Sequence, residues 1–162
     1  MMAVVCFVDA FLPPKLGHFY DALFSSSSEI SSSEMVEYGM VQHCGVLCSN
    51  LEKSLEFYLK VLKFTDETSK RPDTLPFRGA FLGIGKKGSQ IHLMELSNPD
   101  PIDGRPPHAG RDRHIAITTP NITPIIQELA LNGVEYTMSK SGRRAVFTRD
   151  PDGNGLEFIE LL

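Results

Sequence analysis

The chain has 162 residues, of which 41% are hydrophobic and 22% charged, so it is long enough to bury one core. Its net charge of −4 gives no electrostatic reason to expect binding to nucleic acid or to a membrane surface. Its three cysteines do not indicate a disulfide framework, so an intracellular and preferably cytoplasmic location is predicted.

Residues 1–36 are predicted to be a disordered or weakly ordered N-terminal extension. A serine-rich run at 25–33 can bury little apolar surface. The serines would also suit a plastid transit segment, whereas the excess of acidic over basic residues argues against one. No stretch of the chain reaches the ~18–20 apolar residues that a transmembrane helix requires.

The folded domain is predicted to cover residues 37–162, with one module at 37–96 and a second at 111–162. In the first module, Ser49 and Glu52 fit a capping box at the start of a helix. Apolar residues then recur at helical spacing, namely Leu51, Leu55, Tyr58 and Leu62. The predicted elements are a strand at 41–48, this helix, and strands at 64–68, 78–84 and 89–96.

The second module repeats this order. Its helix is predicted at 121–131, with Pro124 in the first turn, where a missing amide donor costs little, and with Gly133 at its end. The strands are predicted at 113–119, 134–138, 144–149 and 156–161. The proline-rich segment 97–110 is predicted to be an ordered loop between the modules.

Two alignments without gaps relate the modules. The aligned segments are 42–50 with 113–121, and 80–92 with 145–157. They match His43 with His114 and His92 with Glu157. Because both copies carry residue types that bind metals at these positions, the duplication predicts a pseudo-symmetric metal site.

The alternation of side chains along a strand predicts the direction of these four residues. Each lies on the face of its strand opposite apolar residues, which would face the helices; Ile91 and Leu93, for example, flank His92. The four candidates are therefore predicted to face away from the helices, into the hollow of a curved sheet.

His43, His92, His114 and Glu157 are predicted to bind one divalent ion. Imidazole nitrogens and carboxylate oxygens suit Zn, Fe, Ni, Mn or Co. A single buried histidine is more often a hydrogen-bonded core residue, but three at repeat-related positions favour a metal site. Open coordination positions would accept a small oxygenated substrate, and Glu157 could move a proton as the catalytic base.

Other residues of binding type have weaker claims. Arg105, His108 and Arg143 are candidates for binding a carboxylate or phosphate of the substrate, although a solvated loop surface explains them about as well. Glu95 and Glu160 point to the opposite face from the candidate ligands and are predicted to be surface or salt-bridging residues.

Two further patterns have structural explanations. The segment 150–154 resembles a calcium loop superficially, but residue 161 is Leu where such a loop ends in Glu, so a tight turn is predicted. Cys44 and Cys48 share the apolar face of a strand and are predicted to be buried, unreactive thiols.

The chain resembles the glyoxalase, bleomycin-resistance and extradiol-dioxygenase family, the vicinal oxygen chelate superfamily. The specific parts are His43 ahead of residues 50–58, His114 at the start of the second module, and the segment 150–157. The resemblance covers about residues 39–162. It implies an α+β fold in which two βαβββ modules form an open, cup-shaped mixed β-sheet around a divalent metal, with helices on the outside. By that pattern His43, His114 and Glu157 are ligand positions, whereas His92 replaces the Glu of glyoxalase I-like members.

The resemblance leaves several functions open. We expect a divalent-metal-dependent enzyme acting on a small molecule, with lyase or isomerase chemistry slightly preferred. A non-heme iron ring-cleaving dioxygenase is one alternative, and a metal-free small-molecule or drug-sequestering protein is another. The metal site could form within one chain or between the chains of a homodimer.

Overall fold

A computed structural model describes residues 36–86 and 88–161 of the chain. The predicted N-terminal extension and its transit role fall on residues outside the described ranges, apart from residue 36. In the described ranges, no helix is long and apolar enough to cross a lipid bilayer.

The described elements follow the predicted order in both modules. In the first module they are β1 (His43–Cys48), α1 (Leu51–Leu55), a π-helix (Glu56–Val61), β2 (Thr65–Asp66), a 3-10 helix (Thr68–Lys70), β3 (Gly79–Ile84) and β4 (Ser89–Glu95). In the second they are a 3-10 helix (Ala109–Arg111), β5 (His114–Thr119), α2 (Thr123–Leu131), β6 (Tyr136–Met138), β7 (Ala145–Arg149) and β8 (Gly155–Glu160).

Each module forms its own four-stranded sheet, with the order β1-β4-β3-β2 in the first and β5-β8-β7-β6 in the second. The first and last strands of a module run parallel, and the other neighbours run antiparallel. This topology confirms the predicted α+β fold of two βαβββ modules. It also makes the two strands that carry the candidate ligands neighbours within each module.

The first helix begins at a different residue from the one predicted. Asn50, not Ser49, is the N-cap, and its side-chain oxygen accepts a hydrogen bond from the Lys53 amide at 2.9 Å. The Ser49 amide instead donates to the Asp152 carboxylate at 2.9 Å. The predicted capping box is therefore wrong, because a distant carboxylate fixes Ser49 and moves the helix start by one residue.

This cap can be tested by substitution. Asn50→Ala should lower the free energy of unfolding by about 1 kcal/mol, the usual cost of losing an N-cap side chain. Ser49→Ala is the matched control and should change it by only a few tenths of that amount. Urea unfolding followed by circular dichroism measures both; equal losses would show that Ser49 also caps the helix.

The structure also corrects one of the two alignments between the modules. Ala80 pairs with Leu93 in the first sheet, whereas Val146 pairs with Phe158 in the second. Ala80 therefore corresponds to Val146 rather than to Ala145. The second hairpin turn is one residue shorter, so the alignment without a gap is wrong over β3 and β7 and right over β4 and β8.

The apolar faces of both sheets contribute to one core. Its buried members include Val46, Cys48, Tyr58, Leu82, Ile91, Leu93, Leu129, Val146, Leu156 and Phe158. Residues on both sides of His92 and of Glu157 lie in this core, which confirms the predicted direction of the strands. The candidate ligands thus project from the opposite faces of the sheets.

A buried polar network joins the turn after β7 to the first module. The carboxylate of Asp150 accepts hydrogen bonds from the Tyr58 hydroxyl at 3.0 Å and from the Asn154 side chain at 2.9 Å. It also accepts from the Asp152 and Asn154 amides at 3.0 and 2.8 Å. Burial raises the pKa of Asp150, and the hydrogen bonds oppose that shift. The structure confirms a tight turn at 150–154 and shows that it is hydrogen-bonded to the first module.

Candidate metal centre

The first module brings His43 and His92 together. In the parallel pair of β1 and β4, the partner of His92 is Gly45, two residues beyond His43 on the same face. The centroids of the two imidazole rings are 5.9 Å apart. The register of the strands therefore creates a pair of imidazoles from residues that are far apart in sequence.

Aromatic rings surround His92. The Phe81 ring meets it edge to face at 4.5 Å between centroids, and the Phe77 ring lies 6.0 Å away. His92 is 7% exposed, and its Nε2 atom has no hydrogen-bond partner among the described residues. Burial lowers the pKa of His92, helped by the charges of Arg71 and His43. The environment thus favours a neutral imidazole with an unused nitrogen.

A chain of hydrogen bonds holds His43. Its Nδ1 atom lies against the side-chain oxygen of Gln42, so Nδ1–H donates, and in the neutral ring the lone pair is then on Nε2. Gln42 in turn donates to the Gln90 oxygen at 2.9 Å, and Gln90 donates to the Glu67 carboxylate. Gln90 is buried. Such partners commonly fix the tautomer and direction of a metal-binding histidine.

The second module brings His114 and Glu157 together in the same register. The partner of Glu157 on β5 is Ala116, two residues beyond His114. The His114 Nδ1 atom lies 2.8 Å from the Asp112 carbonyl oxygen, to which it donates. The His114 Nε2 atom lies 3.1 Å from the Glu157 Oε2 atom. The Nδ1–H group donates to the carbonyl, so Nε2 and a carboxylate oxygen face each other at a distance that a shared cation or proton would bridge.

The side chain of Glu157 is 4% exposed. Its other oxygen, Oε1, has no hydrogen-bond partner among the described residues. The guanidinium of Arg143 lies beside this oxygen, with Nη2 at 3.5 Å from Oε1. That distance gives electrostatic attraction without a good hydrogen bond, so Oε1 remains available to a ligand.

The two pairs do not join into one cluster within the chain. In the ranges that the structure describes, no group of three or more His, Cys, Asp or Glu side chains is placed to hold a metal ion. His43 borders a cavity of about 580 Å³, whereas His114 borders a different one of about 320 Å³. The chain therefore presents two separate pairs of candidate ligands. His43 with His92 is called the first half-site, and His114 with Glu157 the second half-site.

The three weaker candidates have different surroundings. Arg105 pairs with the Asp112 carboxylate at 2.9 Å, and this hydrogen bond is the main reason that the pKa of Asp112 falls to about 2. His108 lies 2.6 Å from the Thr137 hydroxyl, and its ring meets Phe147 edge to face. Arg143 contacts Glu157. Arg105 thus fixes the loop before His114, and Arg143 is the one of the three that contacts a candidate ligand directly.

The predicted roles of the other residues can also be compared with the structure. Glu95 pairs with Arg78 and Glu160 with Arg144, as predicted. Each carboxylate also accepts a hydrogen bond from an amide at the start of a helix, a role that spacing alone does not reveal. Cys48 is buried as predicted, and burial raises the pKa of its thiol to about 11.

Cys44 is only half-buried, so the predicted burial holds for one thiol and in part for the other. Sequence reasoning missed Arg71, whose guanidinium carbon lies 5.1 Å from the centroid of the Phe77 ring beside His92. Arg71 lies in an irregular loop outside both aligned segments, and no spacing pattern marks it.

The chain is similar to a known family and to known structures. Residues 40–158 match the model of the Glyoxalase/Bleomycin resistance protein/Dioxygenase superfamily. The Arabidopsis thaliana protein "Glyoxylase I 4" is 30% identical over 125 residues, which cover 72% of this chain and 68% of that protein.

Two solved structures share the fold. A putative glyoxalase family protein from Bacillus anthracis has a TM-score of 0.62 and 22% identity, covering 76% of this chain and 97% of that one. A mutant of the fosfomycin resistance protein FosX from Listeria monocytogenes, complexed with Mn(II) and a dihydroxypropylphosphonic acid, has a TM-score of 0.59 and 18% identity, covering 78% and 95%. On its sequence and its fold, the chain belongs to the Glyoxalase/Bleomycin resistance protein/Dioxygenase superfamily.

Proposed function

We propose that this protein is a divalent-metal-dependent enzyme that moves a proton on a small oxygenated substrate. In this proposal the ion is held by His43 and His92 of one copy and by His114 and Glu157 of a second copy. One observation carries it: the His114 Nε2 atom lies 3.1 Å from a Glu157 oxygen, while Nδ1 on the other side of the ring donates to a carbonyl.

The residues fit a metal ion. Zinc-like ions bind nitrogen and oxygen at about 2.0–2.2 Å, which puts two ligands of one ion about 3 Å apart. The His114–Glu157 separation of 3.1 Å meets that requirement. His92 adds a buried, neutral imidazole whose Nε2 atom has no partner among the described residues. A bound ion would supply positive charge that polarises a carbonyl or hydroxyl oxygen of the substrate.

The duplication supports a site between two copies. Each half-site is built on the same strand register, and each presents two of the four candidate ligands. A two-fold symmetric dimer that places the first half-site of one chain against the second half-site of the other would complete two identical sites. The Listeria structure that shares this fold contains Mn(II), an ion that suits such a mixed nitrogen and oxygen set.

Glu157 is the proposed base. Its Oε2 atom faces His114, which leaves Oε1 to accept a proton from a substrate carbon and to return it. Burial in a nearly dry site makes such a transfer sensitive to the position of the carboxylate, and the Arg143 guanidinium lies beside Oε1 at 3.5 Å. This assignment makes lyase or isomerase chemistry the first candidate.

Elemental analysis of protein purified without chelators tests the proposal first. We expect about one equivalent of a transition metal per chain, as a symmetric dimer with two sites requires. Less than about a tenth of an equivalent, even after incubation with Zn, Mn or Fe(II), would contradict it and favour a metal-free binding protein.

The reaction class needs a separate experiment. Metal-loaded protein is incubated in deuterated water with small hydroxy- and oxo-acids, and exchange of the carbon-bound proton is followed by NMR. Exchange without oxygen uptake supports proton transfer. Oxygen uptake by the Fe(II) form with phenolic substrates, without exchange, would instead support the dioxygenase.

The hydrogen-bond chain behind His43 gives a further prediction. Gln90→Leu keeps the size of the buried side chain but breaks both links, so metal affinity should fall by about 10-fold. Gln127→Leu, on helix α2, is the control and should bind metal as the wild type does. Metal affinity is measured in a competition assay with a metal-sensitive dye. Equal affinities for the Gln90 variant and the wild type would show that these hydrogen bonds do not support the metal site.

A further inference from the structure

Arg71 differs from most arginines of the chain. Carboxylates pair with Arg78, Arg105, Arg113, Arg143, Arg144 and Arg149. Within residues 36–86 and 88–161, no carboxylate lies at ion-pairing distance from Arg71, and its Nε atom is buried without a hydrogen-bond partner. A buried donor on a charged group is costly unless a ligand completes it.

The guanidinium of Arg71 is held in place rather than free to turn to solvent. Its Nη2 atom donates to the Phe77 carbonyl, and its carbon lies 5.1 Å from the centroid of the Phe77 ring. A Cβ atom at Gly79 would come within 3.3 Å of the Arg71 Nε atom and within 2.2 Å of the Leu93 carbonyl oxygen. The glycine at position 79 is thus required mainly by the neighbouring strand, and it also leaves room for Arg71 to lie against the sheet.

Arg71 is also close to the first half-site. The Phe77 ring is next to both, with its centroid 5.1 Å from the Arg71 guanidinium carbon and 6.0 Å from the centroid of His92. The centroid of the Phe81 ring lies 4.5 Å from that of His92. A cationic donor without a partner therefore lies near one candidate ligand, next to an aromatic ring that neighbours both.

We infer that Arg71 binds the anionic group of the substrate, a carboxylate or a phosphonate, while the planar or apolar body of that molecule lies against Phe77 and Phe81. The Nε–H group supplies a directed donor that a carboxylate or phosphonate oxygen accepts, and guanidinium groups suit such oxygens better than ammonium groups do. The inference rests on the proposed function in one respect: it takes the bound anion to be part of the substrate of the proposed metal site.

Nitrogen-15 NMR of the arginine Nε–H groups tests this binding directly. Benzoate and phenylphosphonate are the anionic probes, and benzamide is the neutral control. The Arg71 signal is assigned from its loss in Arg71→Lys. We expect a saturable shift of this signal with both anions and none with benzamide. A signal that does not move at saturating anion concentrations would overturn the inference without any need for a variant.

Binding is then measured by calorimetry in variants. Arg71→Gln should bind the anions at least 10-fold more weakly, whereas Arg111→Gln should bind them as the wild type does. Arg111 is exposed and pairs with no carboxylate in the described ranges, so it controls for the change of net charge. Equal affinity in Arg71→Gln and the wild type would contradict the inference.

Both measurements are made on chelator-treated and on metal-incubated protein. A response of Arg71 without any uptake of metal would overturn the proposed function and leave the anion site intact. Uptake of metal with no response of Arg71 would overturn the anion site and leave the proposed function intact. The two proposals can therefore fail separately.

Discussion

Glu157→Gln should lower metal affinity by about 100-fold or more, because loss of a residue that merely supports a ligand already costs about 10–100-fold. The substitution keeps the shape of the side chain but removes the charge that faces His114 at 3.1 Å.

His92→Ala should lower the affinity by at least about 10-fold, since it removes a buried imidazole with an unused nitrogen. Metal content after dialysis against a weak chelator measures both effects.

Glu160→Gln is the matched control for Glu157→Gln. Glu160 lies on the same strand but pairs with Arg144 and accepts from the Ile122 amide. This control should lose some stability and keep its metal. If Glu157→Gln retained as much metal as Glu160→Gln, Glu157 would not be a ligand and the proposed base would lose its place in the site.

Asp150→Ala should lower the free energy of unfolding by about 3 kcal/mol, the scale expected when a buried, hydrogen-bonded charged group is removed from its partners. Asp150 is 5% exposed and accepts from the Tyr58 hydroxyl, the Asn154 side chain and two amides of its own turn. The alanine variant leaves these donors buried without an acceptor. Denaturant unfolding measures the loss.

Asp103→Ala is the control, because Asp103 is an exposed acidic residue of the loop between the modules. It should change stability by less than about 0.5 kcal/mol. Tyr58→Phe removes only one of the donors and should cost about 1 kcal/mol. Equal stabilities of Asp150→Ala and Asp103→Ala would show that the network at 150–154 does not hold the modules together.

Much of this fold was predictable because the chain repeats one unit. The order of strands and helices follows from local patterns, and alternation in β4 and β8 gives the direction of His92 and Glu157 correctly. The structure confirms that direction by placing Ile91, Leu93, Leu156 and Phe158 in the core. Such features depend on neighbours in sequence and on burial of one face, and a single sequence contains both signals.

The errors arose where distant parts of the chain decide a local detail. Ser49 and Asn50 are both good N-caps, and the choice depends on Asp152, more than a hundred residues away. The one-residue shift of β7 depends on the length of a turn, which an alignment without a gap cannot show. The position of Arg71 depends on its contacts with Phe77 and Gly79, which require the folded strand β3.

The division of the candidate ligands into two pairs could not be predicted either. The duplication accounts for the pairing of candidate ligands within each module, since His43 with His92 and His114 with Glu157 have the same strand register. It does not specify which module faces which. In the described part of the chain the two pairs remain separate, so a metal site that uses all four residues, as proposed, requires a second copy.

Mixed dimers test that dependence most directly. His92→Ala and Glu157→Gln are coexpressed with different affinity tags, and dimers that contain one chain of each are purified and analysed for metal. A site shared between copies leaves one intact site per mixed dimer, so metal content should return to about half of the wild-type value although both parent variants bind almost none. Mixed dimers as empty as the parents, or a wild-type protein that is monomeric when it binds metal, would contradict the shared site.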